Sequence, residues 1–214
     1  MKKKICLFFF VITFLLFQNK VVFSQIENSV IISVGDYPIT RLDLLKEIKL
    51  IAILSNTQID QSNKEQIQNL AIKSLIKRNI KESEIKRRNI NSYNKKQLEN
   101  LITSTSKKIG LNKKGLKEVL INNNLSYEEL IKRFETDLKW NYMIFQIYKN
   151  KISLNTAEIE SKLQLRLEKL ESPNNQKIDI IKEQIVNSEK EKKLKMFSNM
   201  HFSNLERSIQ INFL

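Results

Sequence analysis

VIISVGDYPITRLDLLKEIKLIAIL, residues 30–54, carries the signals of three structural elements in one short run. Val30 to Val34 is an apolar strand. Gly35-Asp36 turns it back, because Gly accepts φ > 0 and Asp bonds its own backbone. Pro38 holds Tyr37 out of the helical region, so Tyr37 to Ile39 returns as a second extended piece. Thr40 stands where an N-cap belongs, with Asp43 in the first turn behind it. Apolar residues at 42, 45, 48 and 51/52 then mark one face of a helix. The reading is a hairpin that feeds directly into a capped amphipathic helix.

The rest of the chain is mostly helix. Three Gly and two Pro in 214 residues leave little material for turns, which disfavours a many-stranded sheet. A second helix fits Asn63–Asn79, with Ile67, Leu70, Ala71 and Leu75 on its stripe. Ile80–Ser83 reads as a break and Glu84–Arg88 as a short basic turn. A third helix fits Asn94–Ile109 and ends at Gly110; a fourth, short one surrounds Leu116, Val119 and Leu120. Ser126 with Glu129 opens the longest helix, to about Lys151. Its stripe is Tyr127, Leu130/Ile131, Phe134, Leu138, Tyr142, Phe145 and Tyr148. From Trp140 onward the other face is apolar too, through Met143, Ile144 and Ile147, so this half must be buried on several sides or meet a partner. Asn155 with Glu158 opens a helix to about Leu170, Ser172-Pro173 breaks it, and a last helix runs from Gln176 to about His201. Ser208–Leu214 alternates apolar Ile209, Ile211 and Phe213 with polar Gln210 and Asn212, a terminal strand. A lone strand needs an edge to pair with, and the hairpin at residues 30–39 offers one.

Met1–Gln25 reads as a secretory signal: three lysines, then an apolar run from Ile5 to Phe17, shorter than the ~20 residues of a membrane span. Val22 and Ser24 place cleavage after Ser24. The one cysteine, Cys6, lies inside that signal, so the exported chain has no thiol or disulfide chemistry. The formal charge is +14, with 37 basic and 23 acidic residues. The first 24 residues hold four lysines and no acid, which leaves +10. A net positive chain can seek nucleic acid or anionic membrane. Here the lysines are scattered among acids, as in LLKEIK and LEKLE, and like-charge blocks are short. Export argues further against nucleic acid.

Chemistry is sparse. One histidine, His201, has no cysteine or serine partner placed for catalysis, and a single histidine without cysteine does not make a transition-metal site. The glycines are isolated, so no phosphate loop exists. Glu128-Glu129 and the Glu82/Glu84 pair read as carboxylates on solvated helix faces. The expectation is no catalytic residue, no metal and no cofactor.

With these residues in order, the chain resembles the N-terminal domain family of the periplasmic chaperone SurA, shared with exported parvulin-type prolyl isomerases. Ile31–Asp43 is similar to that family's opening, V-N-x-x-x-I-T-x-x-D/E, with Gly35 in place of the more usual Asn. Leu75–Ile80 and Ile85–Ile90 stand where its second helix has L-I-x-x-x-L-x-x-x-x-A-x-x-x-x-I. Leu125–Ile152, followed by Asn155–Ile159, resembles its long helix and exit. Residues 176–214 resemble the C-terminal helix and strand that return to complete the domain. In the family one or two parvulin domains lie between those parts; here only Ser161–Gln176 separates them.

The resemblance implies a mainly α fold: a helical chaperone domain with a small N-terminal β-hairpin joined by a C-terminal strand. The expected divisions are a signal peptide at 1–24, the chaperone domain at 25–154, and helices and closing strand at 155–214 packing back on it. The implied function is that of a periplasmic, ATP-independent holdase for unfolded outer-membrane or exported proteins. It is not expected to be an enzyme, since no parvulin domain is present. Ile51, Leu54, Trp140, Met143, Ile144 and Ile147 are the expected client-facing residues. A homodimer would form if the C-terminal strand were exchanged between copies. Two other readings are a prolyl isomerase relative with residual or lost activity, and a basic membrane-surface or structural protein.

Overall fold

The computed structural model describes residues 28–170 and 174–214; the expected signal peptide and the Ser172-Pro173 break lie outside them. In chain order the elements are β1 (Val30–Val34), β2 (Tyr37–Thr40), α1 (Arg41–Ser55), α2 (Lys64–Arg87), α3 (Lys95–Lys108), α4 (Lys113–Asn122), α5 (Tyr127–Tyr148), α6 (Thr156–Leu167), α7 (Asn175–Ser208) and β3 (Ile211–Phe213). A single 3₁₀ turn, Lys149–Lys151, extends α5. The fold is mainly α, as expected.

The hairpin forms as its residues dictate. Positive φ falls on Gly35, at +55°, and Val34 pairs with Tyr37 across the turn. Thr40 and Asp43 make a reciprocal capping box: Thr40 Oγ1 accepts from the Asp43 N–H, and Asp43 Oδ2 accepts from the Thr40 N–H at 2.9 Å. β3 then adds to the other side of β1, antiparallel, giving the order β2-β1-β3. Its register sets Ile32 opposite Phe213 and Val34 opposite Ile211. The Gly35 N–H donates to the Gln210 carbonyl at 2.9 Å, so the turn itself is tied to the far end of the chain. The terminal strand thus closes on β1 of its own chain.

Asparagine does much of the work that glycine does elsewhere. Asn94, Asn112, Asn155 and Asn174 cap the starts of α3, α4, α6 and α7 through their side-chain oxygens. Asn56, Asn89 and Asn124 take the left-handed conformation at φ of 52°, 54° and 56°. Apart from Gly, Asn is among the few residues that tolerate this region, because its short polar side chain bonds locally. A chain with three glycines can therefore still end and restart its helices.

Four cores make up the body. The sheet buries Ile32, Val34 and Ile39 against Leu44 of α1 and Ala71, Leu75, Ile76 and Ile80 of α2. Leu50 joins Leu116, Leu120, Leu125 and Leu130 at the α1–α4–α5 corner. Leu98 and Ile102 of α3 cover Leu138 of α5. Ile85, Trp140, Met143, Ile144 and Tyr148 form the fourth core, closed by Leu194, Phe197, Phe202 and Leu205 of α7. A fifth cluster stands apart: Ile159 and Leu163 of α6 with Ile181 and Ile185 in the first half of α7. α6 packs principally on α7, so the pair makes a helical arm.

Four expectations need correction. The longest helix is α7, with 34 residues against 22 for α5. α2 runs unbroken through Ile80–Ser83, because Ile80 is fully buried under the sheet and holds the helix together there. The fully buried residues of α1 are Leu44, Glu47 and Leu50; of the expected stripe Leu42 and Leu45 are exposed, while Ile48 and Ile51 pack partly buried on the sheet cluster. Glu84 is not solvated; it is 3% exposed.

Candidate functional site

The six residues expected to face a client are not brought together. Trp140, Met143 and Ile144 are 1–2% exposed, packed under α7, and Ile147 lies half-buried beside them. The Trp140 indole N–H donates to Ser198 Oγ at 2.8 Å, and Tyr148 stacks on Phe197 with centroids 4.7 Å apart. Ile51 packs toward the sheet cluster and Leu54 toward the α4 corner, both half-buried. The two-faced apolar stretch of α5 is a partner-binding surface, but its partner is α7. In this arrangement Trp140, Met143 and Ile144 belong to the core.

Exposed apolar surface lies on the other stripe. Ile131, Phe134 and Leu138 of α5 meet α3 and the Tyr93 segment that precedes it. Tyr93 donates its hydroxyl to Glu135 at 2.7 Å, which fixes where that cover begins. Beyond it the stripe runs on to Tyr142 and Phe145, 39% and 44% exposed. α5 outlasts the helix that covers it, and two aromatic rings remain at the surface. A second apolar surface is a groove of about 390 Å³ where Ala52 and Ile53 of α1 face Ile109, Leu111 and Val119. On α7, Met196 and Met200 are exposed one turn apart.

Two buried carboxylates, neither foreseen from sequence, carry the electrostatics. Glu47 on α1 receives Arg78 of α2 at 3.1 Å and Arg133 of α5, pinning three helices at one point. Burial draws the Arg133 guanidinium below its ordinary value, and the Glu47 charge works against that. Glu84 accepts Arg87 Nε and Nη2 at 2.7 and 2.8 Å, and also Arg88. Burial would raise the Glu84 carboxyl, but the hydrogen bonds from Arg87 and Arg88 outweigh it and hold the group below its usual range. His201 Nε2 lies 3.4 Å from Glu84, and its Nδ1 lies 3.0 Å from the Tyr148 hydroxyl.

A carboxylate–histidine–tyrosine line resembles a proton relay, but its geometry is that of a fastener. Its ends are two arginines and a buried tyrosine, and among the described residues no serine or cysteine stands within its hydrogen bonds as a nucleophile. It joins α2, α5 and α7 where their apolar faces meet. The arginines at positions three and four beyond Glu84 are a readable signal for an internal pair. Glu47 had no such signal, since its partners lie 31 and 86 residues away. Among the described residues, no group of His, Cys, Asp and Glu is arranged to hold a metal ion, and no helix is long and apolar enough to cross a membrane.

Comparison with known proteins adds two findings. The family model of the SurA-like N-terminal domain matches residues 1–144. A solved structure is similar at 16% identity, over 87% of this chain and 99% of that one, with a TM-score of 0.41. It comes from work on the virulence factor PEB4 and the periplasmic protein Cj1289, two structurally related SurA-like chaperones of Campylobacter jejuni. No curated protein matches the chain.

Proposed function

This chain belongs to the SurA-like N-terminal domain family, and from that premise we propose that it is a periplasmic, ATP-independent holdase for unfolded outer-membrane or other exported proteins. The observation that carries the reading is the overrun of α5 past α3, which leaves Tyr142 and Phe145 open on an otherwise covered apolar stripe. Aromatic side chains give large contact area at low entropic cost and accept many partners. Exposed Met196 and Met200 add adaptable contacts of the kind promiscuous binders use. Client contact is thereby assigned to surface aromatics and methionines, while Trp140 and its neighbours hold α7. The chain works by covering apolar segments, not by isomerising prolines.

The test is light scattering from an unfolded outer-membrane β-barrel protein diluted into buffer with the purified exported chain. Suppression of aggregation at several-fold excess is expected. The Tyr142→Ser/Phe145→Ser double variant should suppress less at unchanged melting temperature, because substitutions at exposed positions usually stay within about 0.5 kcal/mol each. A wild-type chain that leaves the scattering unchanged would remove the holdase reading. A proline tetrapeptide should isomerise at the uncatalysed rate in its presence.

A further inference from the structure

The two edges of the small sheet are built differently. Val34 pairs with Tyr37 next to the tight turn, then Ser33 with Pro38 and Ile32 with Ile39. Alternation along the strand therefore turns the Pro38 backbone to the outside, where its missing N–H cannot pair. Proline at that place is a standard guard on an edge strand. β3 has no such guard. The Gly35 N–H donates to the Gln210 carbonyl and the Leu214 N–H to the Ile31 carbonyl, at 2.9 and 3.0 Å. Residues 210, 212 and 214 thus face β1, and the N–H and C=O groups of Ile211 and Phe213 face away from it.

Phe213 lies opposite Ile32 and so shares its face of the sheet. Ile32 is 2% exposed and Phe213 is 68% exposed. The core-side face of the sheet continues past its helical cover and ends on a bare aromatic ring beside an open row of backbone groups.

We propose that the outer edge of β3 is a strand-addition site that takes an extended polypeptide segment of alternating apolar and polar residues. The segment pairs its main chain with Ile211 and Phe213 and lays an apolar side chain on the Phe213 ring. The proposal rests on the holdase reading and specifies a binding mode for it. Area decides between this occupant and a second copy of the chain. A three-residue strand paired with its own copy covers on the order of a few hundred Å², well short of the roughly 1,200 Å² of a stable interface. A transient client needs no such area. Main-chain pairing is also indifferent to most of the client's sequence, while alternate side chains supply a mild preference. Strands of membrane β-barrels have that alternation.

The probe is a fluorescein-labelled eight-residue peptide of alternating valine and threonine. It should bind the wild-type exported chain in anisotropy titrations and slow amide exchange at Ile211 and Phe213, leaving Tyr142 and Phe145 unaffected. Phe213→Pro removes the outward N–H without removing a bond to β1 and should weaken binding about tenfold or more. Phe213→Ser keeps the N–H, loses the ring and should weaken it by less. Equal peptide affinity in wild type and Phe213→Pro would overturn the proposal, as would unchanged exchange at Ile211 and Phe213 in the peptide-bound wild type, which involves no variant. A concentration-dependent dimer that Phe213→Pro dissolves would overturn it in favour of self-pairing. The aggregation assay is read in parallel. A wild type that suppresses aggregation but ignores the peptide loses the edge site and keeps the holdase reading. One that binds the peptide at the edge but suppresses nothing keeps the edge site and loses the holdase reading.

Discussion

The two halves of α7 share one helix and live in different environments. The first half meets α6 and its flanks, through Ile181 and Ile185 against Ile159, Leu163 and Leu154. Its polar links to α6 are two lysine–glutamate pairs, Lys162 to Glu189 and Lys182 to Glu160, flanked by Lys162–Glu158 within α6 and Lys192–Glu189 within α7. The second half enters the body. It brings Phe197, Phe202 and Leu205 onto Trp140 and Tyr148, with Trp140 donating to Ser198 and Tyr148 hydrogen-bonded to His201. Aliphatic contacts and surface ion pairs are weakly specific, and such pairs contribute little to stability. Aromatic rings fixed by hydrogen bonds admit one arrangement. The chain therefore has a body with a defined interior and an arm whose stability is local, and the two should open separately.

The hardest blow to the body is Trp140→Ala. It removes a fully buried indole and leaves Ser198 without its donor, so a loss of about 3–5 kcal/mol is expected. Measured by urea denaturation with hydrogen exchange, the loss should fall on β1, α2 and α5. If residues of α6 lost protection to the same degree, arm and body would be one cooperative unit and the comparison would fail. Deleting residues 208–214 is next. It frees the Gly35 N–H and the Ile31 carbonyl and uncovers the flank of Ile32 and Val34. Protection at Ile31–Val34 should fall sharply although the deleted residues lie at the opposite end of the described chain. Unchanged protection there would show that β3 does not close the body.

The body's frame was largely legible in the sequence, and the reasons are local. Gly35, Pro38, Thr40 and Asp43 act on neighbours within a few residues, as do Ser126 on α5 and Asn155 on α6. The alternation of Ile209, Ile211 and Phe213 could be matched to the hairpin because a strand must have an edge. What was not legible depends on partners far along the chain. Asn79 and Ser83 look like helix breakers until Ile80 is seen to fill the space beneath the sheet. Leu42 and Leu45 are as apolar as Leu44 and Leu50; the side of α1 that turns inward is the one that meets the sheet cluster, the α4–α5 corner and the Glu47 partners Arg78 and Arg133. On α5 both faces are apolar near Trp140, and periodicity alone does not say which one α7 takes. The exposed pair, Tyr142 and Phe145, was visible as part of a stripe, but its exposure follows from the length of α3.

The arm should yield more easily and alone. Ile185→Ala removes a 3% exposed side chain from the small cluster, at a cost of about 2 kcal/mol, the low end for such a truncation because a surface arm can partly collapse. Exchange protection in α6 should drop while the body's urea midpoint stays within error. A matching fall in the body midpoint would mean that the arm braces the body through α7.

Acid and salt give the smallest effect and the finest discrimination. Glu84 is held below its usual range by Arg87 and Arg88 against the cost of burial. Glu189 is held low by the hydrogen bonds of Lys162 and Lys192. In both cases the folded carboxylate keeps its charge to lower pH than the unfolded one, whose ordinary value is 4.5. The stabilisation is therefore complete above that value, and it is lost as pH falls through the folded value. Body and arm alike should weaken as pH falls below the ordinary carboxylate value of 4.5, because both carboxylates are shifted downward. Salt separates them. At 1 M ionic strength screening acts within about 3 Å, so exposed Lys192 and half-buried Lys162 lose part of their hold on Glu189, whose side chain is 13% exposed. Glu84, only 3% exposed in its side chain and gripped by two guanidinium groups, is screened far less. Repeating the acid titration at 1 M salt should thus flatten the response of α6 and leave that of α2 in place, and Glu84→Gln should remove much of the latter. An acid response of α2 that vanished with salt as readily as the arm's would show that Glu84 is not the buried fastener its geometry describes.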